Sequence, residues 1–176
     1  MSDPLRLGIA GLGTVGCGVV KIIQQKANLL AARAGRPVVI TAVSARTRDK
    51  DRGVDLSAYA WEDDPVVLAA RDDVDVFVEL MGGSDGPAKA ATEAAIAAGK
   101  DVVTANKAML AVNGQALAEL AEAAGRVIRF EAAVAGGIPV VKALTEGLAG
   151  NQISRVMGVM NGTCNYILTR MQSAGL

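Results

Sequence analysis

Short apolar runs alternate with longer amphipathic stretches along most of the chain. Leu5–Ala10 is a short apolar run that stops at a glycine, which suits a buried strand better than a helix. From residue 14 to about residue 34, apolar side chains recur at helical spacing, and Gly35 and Pro37 supply the stop. The β-branched run at 38–43 predicts a second buried strand.

The same alternation continues to residue 132. Its elements are predicted strands at 74–81, 101–104 and 127–132, and predicted helices at 87–98 and 108–124. Strands that alternate with helices at this spacing are typical of a parallel sheet with helices on both faces. We therefore expect an α/β fold with a doubly wound sheet.

The pattern changes after the segment Gly136-Gly137-Ile138-Pro139. A short helix is predicted to about residue 148, followed by an apolar strand at 153–160. Asn161, Gly162, Thr163 and Asn165 form a polar turn that could be structural or binding, with Thr163 as the helix N-cap. The helix at 166–171 begins and is cut off, which predicts that the chain is a fragment.

Composition narrows the possible functions. Lys plus Arg and Asp plus Glu both number 18, and the sequence is 51% hydrophobic, which favours a soluble globular domain without a nucleic-acid or membrane partner. The absence of histidine excludes Ser-His-Asp and Cys-His chemistry. The two cysteines, Cys17 and Cys164, lack metal-ligand spacing, and with no signal peptide the cytoplasm is the expected compartment.

The turn after the first strand has the pattern G-x-G-x-x-G, formed by Gly11, Leu12, Gly13, Thr14, Val15 and Gly16. In this position the first glycine makes a tight turn, the second admits a pyrophosphate and the third permits close helix-strand packing. The N–H groups at the start of the following helix attract phosphate. The pattern predicts dinucleotide binding, and the alternative is a turn that only joins strand to helix.

The residue after the second strand is expected to meet the adenosine ribose. Arg46 lies there and favours the 2′-phosphate of NADP, whereas Asp49 as a ribose acceptor would favour NAD. Residues 33–52 contain six cationic and two acidic side chains, so this segment is basic within a neutral chain. NADP is therefore the preferred cofactor, with NAD as the alternative.

Two further strand ends carry candidate ligand contacts. Gly82 and Gly83 follow the third strand and could approach a cofactor without a side-chain clash, or serve only as turn glycines. Lys107 follows the fourth strand, at the edge of a parallel sheet where ligands bind. Without histidine, lysine is a natural proton donor for this chain.

Four segments together resemble the homoserine dehydrogenase family, whose members interconvert L-aspartate 4-semialdehyde and L-homoserine with NAD(P). They are GLGTVG (11–16), TANK (104–107), EAAVAGGIP (131–139) and MNGTCNYIL (160–168). The resemblance implies a Rossmann-type nucleotide-binding domain at 1–135. It also implies that 136–176 begins an incomplete α+β domain for substrate binding and dimerisation, so the expected assembly is a homodimer.

The resemblance also implies roles for individual residues. Lys107 would lie beside the nicotinamide and the substrate, and Thr104 and Ala105 would line the nicotinamide ribose pocket. A monovalent cation, Na⁺ or K⁺, would be bound by Glu131 with the carbonyl groups of Val134, Gly136 and Ile138; the alternative is an interdomain hinge. The family's substrate-holding acidic residues and its proposed proton-donor lysine would follow residue 176.

Two other functions are compatible with these patterns. The chain could be a nucleotide-binding module without turnover, or a related dehydrogenase of another amino-acid semialdehyde or imine. The segments at 131–139 and 161–168 favour homoserine dehydrogenase over the second of these.

Overall fold

The computed structural model describes residues 2–158 and 162–175. Six strands form one sheet in the order β3-β2-β1-β4-β5-β6, and every neighbouring pair is parallel. The strands are β1 Leu5–Ala10, β2 Val38–Ser44, β3 Ala60–Glu62, β4 Val76–Glu79, β5 Asp101–Thr104 and β6 Ile128–Arg129. Since the strand order reverses between β1 and β4, their carboxyl ends create the crevice where such sheets bind ligands.

Helices connect the strands, except that a loop joins β2 to β3. The helices between β1 and β2, between β4 and β5 and between β5 and β6 agree with the sequence pattern. They are α1 Thr14–Gln25, α2 Ala27–Ala34, α3 Pro65–Ala70, α4 Pro87–Ala97, α5 Lys107–Ala123, α6 Val140–Lys142 and α7 Gly162–Ala174. A π-helical turn, Ala143–Gly147, continues α6, and a 3-10 turn, Glu131–Ala133, follows β6. None of the helices in the described part of the chain has both the length and the apolar character needed to cross a membrane.

Two hydrophobic clusters pack on opposite faces of the sheet. Neighbouring residues of one strand alternate between them: Val78 of β4 joins the cluster under α1, whereas Phe77 joins the cluster under α3, α4 and α5. Ile9 and Ala10 of β1 divide in the same way. This alternation is what a strand covered on both faces requires, so the predicted doubly wound α/β fold is confirmed.

The amino ends of the strands are held by charged groups that bond within the fold. The Asp75 carboxylate accepts hydrogen bonds from the Arg6 backbone N–H at 2.9 Å and from its guanidinium at 2.6 and 3.1 Å, which lowers the pKa of Asp75. The buried Lys100 ammonium donates to the Val74 carbonyl at 2.7 Å and to that of Arg71, and desolvation lowers its pKa. These charged groups therefore serve the fold at the amino ends of the strands.

Several boundaries differ from the sequence expectations. The helix predicted at 14–34 is two helices, because Lys26 adopts φ −121° while its N–H still bonds the Ile22 carbonyl. The strands predicted at 74–81 and 127–132 are shorter, and sheet pairing ends at Glu79 and Arg129. Beyond these points the chain leaves the sheet for the loops described below.

One stretch of regular structure was not anticipated. β3 has only three residues, and α3 only six, so neither carries a periodic signal. The sequence signal for α3 was an aspartate followed by a proline, a common helix start. In the structure the Asp64 side chain accepts from the Val66 N–H at 2.8 Å, and Pro65 occupies the first turn of α3.

The prediction of a strand at 153–160 is wrong for residues 153–158, which form no strand. A strand needs a neighbour that pairs with its backbone groups, and none of the six strands pairs with these residues. The Ile153 and Val156 side chains are exposed. Residues 159–161, including Met160 and Asn161 of the expected turn, lie outside the described residues. Since α7 begins at Gly162, Thr163 lies inside its first turn rather than at the expected N-cap position.

Candidate functional site

A cleft of about 540 Å³ opens at the carboxyl ends of β1, β2 and β4. Five of the residues expected to bind cofactor line it, namely Gly11, Leu12, Gly13, Arg46 and Gly82. Its wall is completed by Ser44, Ala45, Thr47, Lys50, Arg52, Asp63, Pro65, Leu80, Met81, Pro87 and Ala88. The cleft therefore lies at the topological switch point of the sheet.

Gly11 and Gly16 permit the close packing that forms the floor of the cleft. Gly11 has φ +100°, and a Cβ atom there would lie 2.4 Å from the carbonyl carbon and oxygen of Leu80. A Cβ atom on Gly16 would lie 1.9 Å from the Gly11 carbonyl oxygen. Both distances are far below van der Waals contact, so α1 can start this close to β1 and β4 only with glycine at these positions.

Gly13 faces open space instead. It adopts φ −82° as the N-cap of α1, no side chain caps the helix there, and a Cβ atom would meet nothing within 4 Å. Thr14 and Val15 are exposed beside it. Because free N–H groups at the first turn attract anions, this space fits a pyrophosphate held by the turn.

Basic residues line the part of the cleft beyond β2. Arg46 is exposed there together with Lys50, while Arg52 is half-buried. The guanidinium of Arg52 donates to the carbonyl groups of Lys50 at 2.8 Å, Arg48 at 3.2 Å and Thr47. These hydrogen bonds hold the loop that follows β2.

Trp61 supports the same loop from β3. Its ring centroid lies 5.4 Å from the Arg52 guanidinium carbon and 5.9 Å from that of Arg48, within the range of cation-π contacts. The Trp61 indole N–H donates to Asp63 at 2.8 Å, and Asp63 is the acidic side chain in the cleft lining. Asp49, the candidate ribose acceptor in the NAD alternative, is exposed and is not part of that lining.

The loops after β4 and β5 are joined beneath the other end of the cleft. Gly82 and Gly83 have φ of +83° and +91° and are exposed. Thr104 is fully buried, and its hydroxyl donates to the carboxylate of Glu79 at 2.6 Å. Thr104 can therefore affect a bound ligand only through its neighbours. The sequence offered one signal for Glu79, which is an acidic residue with apolar neighbours on both sides, at 76–78 and 80–81.

Lys107 begins α5 and its side chain is exposed. The helix is capped by Asn106, whose side-chain oxygen accepts from the Met109 N–H at 3.1 Å. Lys107 and Ala105 follow the carboxyl end of β5, as expected, but they lie outside the lining of the 540 Å³ cleft. The neighbouring Asn106 side chain donates to the Gly83 carbonyl at 2.7 Å, so α5 begins beside the Gly82–Gly83 turn.

The carboxylate of Glu131, in the 3-10 turn after β6, contacts the start of α6. The Glu131 carboxylate accepts from the Val141 N–H at 3.1 Å and from the Lys142 N–H at 2.7 Å. Val134, Gly136 and Ile138 follow in an exposed loop, and the Ile138 carbonyl accepts from Val140 at 2.8 Å. Residues 2–158 and 162–175 contain no cluster of three His, Cys, Asp or Glu side chains, so a cation here would depend on carbonyl groups.

The glycine turn and the cleft at the switch point of a parallel sheet define a dinucleotide-binding domain of the Rossmann type. The family model described as the homoserine dehydrogenase NAD-binding domain matches residues 11–131, and the homoserine dehydrogenase model matches residues 139–176. The chain belongs to the homoserine dehydrogenase family.

Individual relatives agree with this assignment. Homoserine dehydrogenase from Neisseria gonorrhoeae is 47% identical over 98% of this chain, and that from Bacillus subtilis is 43% identical over 95%. The crystal structure of a homoserine dehydrogenase from Thiobacillus denitrificans matches with a TM-score of 0.86 at 40% identity, covering 99% of this chain and 40% of that one. The chain spans 39% and 38% of the two curated relatives.

Gly16 of the turn and Gly18 of α1 make a matched test. We expect Gly16→Ala to destabilise the protein by about 1–3 kcal/mol or more, because the new methyl group overlaps the Gly11 carbonyl. Gly18→Ala should instead stabilise it by about 0.5–1 kcal/mol, since Gly18 is helical and a Cβ atom there meets nothing within 4 Å. Denaturant unfolding of both variants measures the difference.

Gly13→Ala is expected to affect ligand binding much more than the stability of the fold. Its cost in stability should stay within about 1 kcal/mol, because alanine is only a poorer N-cap than glycine. NADPH affinity should fall about tenfold or more, corresponding to about 1.4 kcal/mol, because the methyl group enters the space proposed for pyrophosphate. Calorimetric titration checks this, and unchanged affinity would contradict the assignment of the turn to phosphate binding.

Proposed function

We propose that this chain supplies the cofactor site and part of the catalytic site of an enzyme that interconverts L-aspartate 4-semialdehyde and L-homoserine. This reaction serves the biosynthesis of threonine, methionine and isoleucine. The observation that carries the proposal is the open turn at Gly13 beside a cleft with basic residues at its adenosine end. The matches of both family models support the choice of substrate.

The bound nicotinamide would supply or accept a hydride at the carbonyl carbon of the semialdehyde. Reduction leaves a negative charge on the carbonyl oxygen, which must be stabilised and then protonated. Lys107 is exposed at the start of α5, next to the carboxyl end of β5, and can present its ammonium to that oxygen. The chain holds no histidine to do so instead.

We expect Lys107→Ala to lower kcat/KM for homoserine oxidation about 100-fold or more in any form of the protein that turns over homoserine, since a positioned charged donor is lost. NADPH affinity should change much less, because the phosphates are bound at the glycine turn. Lys142→Ala, which removes another exposed lysine, is the control. A folded Lys107→Ala enzyme with near wild-type rates would reduce Lys107 to a structural residue.

NADP is the proposed cofactor in preference to NAD. The acidic residue that would bind a free ribose 2′-hydroxyl is not found directly after β2, where Arg46 lies instead. Lys50 and Arg52 add positive charge on the same side of the cleft. A guanidinium can bind a phosphate through two parallel hydrogen bonds, which a ribose hydroxyl cannot match.

We expect Arg46→Ala to weaken NADPH binding by about 1.5–3 kcal/mol, or roughly 10- to 150-fold, by removing a charge-assisted contact. NADH affinity should change by less than about twofold. Arg33→Ala, in the last turn of α2, is the control for a lost charge outside the cleft. Equal wild-type affinities for NADPH and NADH would contradict the NADP preference.

A monovalent cation, Na⁺ or K⁺, is proposed at Glu131 with the carbonyl groups of Val134, Gly136 and Ile138. The Glu131 carboxylate supplies negative charge, and the following loop exposes backbone where a cation could be coordinated by oxygen. Because the carboxylate also accepts from two N–H groups of α6, cation binding would stabilise the same segment.

We expect exchange of Na⁺ or K⁺ for a bulky ammonium ion at constant ionic strength to lower the thermal midpoint, because the larger ion cannot enter a carbonyl loop. Glu131→Gln should remove this dependence while keeping an oxygen acceptor for α6. Glu146→Gln, which changes a carboxylate in the π-helical turn after α6, is the matched control. A midpoint that ignores the exchange would favour the hinge interpretation.

The domain organisation is proposed on the same basis. Residues 1–135 form the nucleotide-binding domain, whose sheet ends at Arg129, and residues 136–176 begin the substrate and dimerisation domain. A homodimer and a cytoplasmic location are the predictions that accompany this assignment. Sedimentation velocity of the full-length enzyme tests the dimer.

A further inference from the structure

Glu79 is a fully buried carboxylate at the last position of β4. Its Oε1 atom accepts from the Met81 N–H at 2.7 Å and from the Gly82 N–H at 3.4 Å, and its Oε2 atom accepts from the Thr104 hydroxyl at 2.6 Å. No lysine or arginine of residues 2–158 and 162–175 forms an ion pair with it. Burying a carboxyl group is costly, so its hydrogen bonds must compensate.

The hydrogen bonds continue from β4 into the loop after β5. Glu79 and Thr104 are directly paired in the two parallel strands. The Thr104 hydroxyl donates to Glu79 and accepts from the Asn106 N–H at 2.9 Å. The Asn106 side chain then donates to the Gly83 carbonyl at 2.7 Å and caps α5 by accepting from Met109. The chain of contacts closes on the loop where it began.

This arrangement links two loops that have different ligand roles. One contains Gly82 and Gly83, which as glycines restrict their own backbone little, so contacts from outside the turn fix its path. The other begins α5 and presents Lys107. Because every link is buried or half-buried, moving either loop would leave polar groups without partners.

We propose that Glu79 is the positioning residue for the nicotinamide half of the cofactor. Its carboxylate sets the distance between the Gly82–Gly83 turn and Lys107, and so aligns the nicotinamide with the lysine. The inference rests on the proposed function, because it assumes that the ligand is a nicotinamide nucleotide. The adenosine half is bound elsewhere, by the glycine turn and the loop at Arg46, and should not depend on Glu79.

The chemistry of the side chain makes this role specific to a carboxylate. Both Glu79 oxygens face donors, so an acceptor-only group satisfies all three contacts. In Glu79→Gln, one end of the amide is an NH₂ group that must face either the Met81 and Gly82 N–H groups or the Thr104 hydroxyl. Facing Met81 and Gly82, the NH₂ group meets only donors and loses both contacts; facing Thr104, it can only donate, so the buried Thr104 hydroxyl loses the acceptor for its own proton. Either orientation therefore leaves a donor of this network without an acceptor while changing the side-chain volume very little.

The test uses two ligands that report on the two halves of the cofactor. NADPH fluorescence changes when the reduced nicotinamide is held in a protein, and adenosine 2′,5′-bisphosphate occupies only the adenosine half. We expect Glu79→Gln to lower NADPH affinity about tenfold and to lose most of the fluorescence change. Its affinity for adenosine 2′,5′-bisphosphate should stay within about twofold of wild type.

Two further variants complete the design. Thr104→Val removes the hydroxyl that bonds Glu79, so it should also weaken NADPH binding and leave the affinity for adenosine 2′,5′-bisphosphate nearly unchanged. It provides a second measurement if Glu79→Gln does not fold. The double variant should lose no more NADPH affinity than the more affected single variant, because both act on one network. Glu62→Gln, which changes a carboxylate at the end of β3 outside the cleft lining, should bind both ligands as wild type does.

The outcomes separate this inference from the proposed function. Equal losses for both ligands in Glu79→Gln and Thr104→Val would show a general structural role and overturn the inference. Unchanged NADPH binding and fluorescence in both folded variants would overturn it as well. A wild-type protein that binds neither ligand would overturn the proposed function, and the inference with it.

Discussion

The contact between Gly16 and the carbonyl oxygen of Gly11 is the constraint on which the cleft depends. With a Cβ position only 1.9 Å from that oxygen, α1 starts closer to the end of the sheet than any other residue would allow. The helix therefore directs its first N–H groups over the crevice between β1 and β4. Gly13, which faces open space in the same turn, leaves room for the phosphates that those groups attract.

The two edges of the sheet use charge in different ways. At the amino ends, Arg6, Asp75 and Lys100 are bonded within the protein, and their contacts join strands and loops. At the carboxyl ends, Arg46 and Lys50 are exposed on the wall of a cleft. A neutral chain thereby presents a basic surface at the one edge where an anionic cofactor would bind.

The sequence predicted the parallel architecture because strands of such a sheet are buried on both faces and read as short apolar runs. The bounds of β1 and β5 agree with the pattern, and Arg46 and Lys107 follow strand ends as expected. The same logic failed for residues 153–158, where an apolar run finds no neighbouring strand. β3 and α3 were missed because a few residues cannot display a period.

The sequence by itself thus determined the fold class, the position of the glycine turn and the end of the strands where ligand contacts are expected. Each of these depends on residues that are close together in the sequence. Only the tertiary structure showed the contacts that Glu79 and Arg52 make. Glu79 meets Thr104 from 25 positions away, and Arg52, in the loop after β2, lies over the ring of Trp61 in β3. A hydrogen bond forms between groups that are close in space, whether or not they are close in sequence. Such contacts produce no repeating pattern along the chain, so only the fold shows which charged side chains hold two segments together.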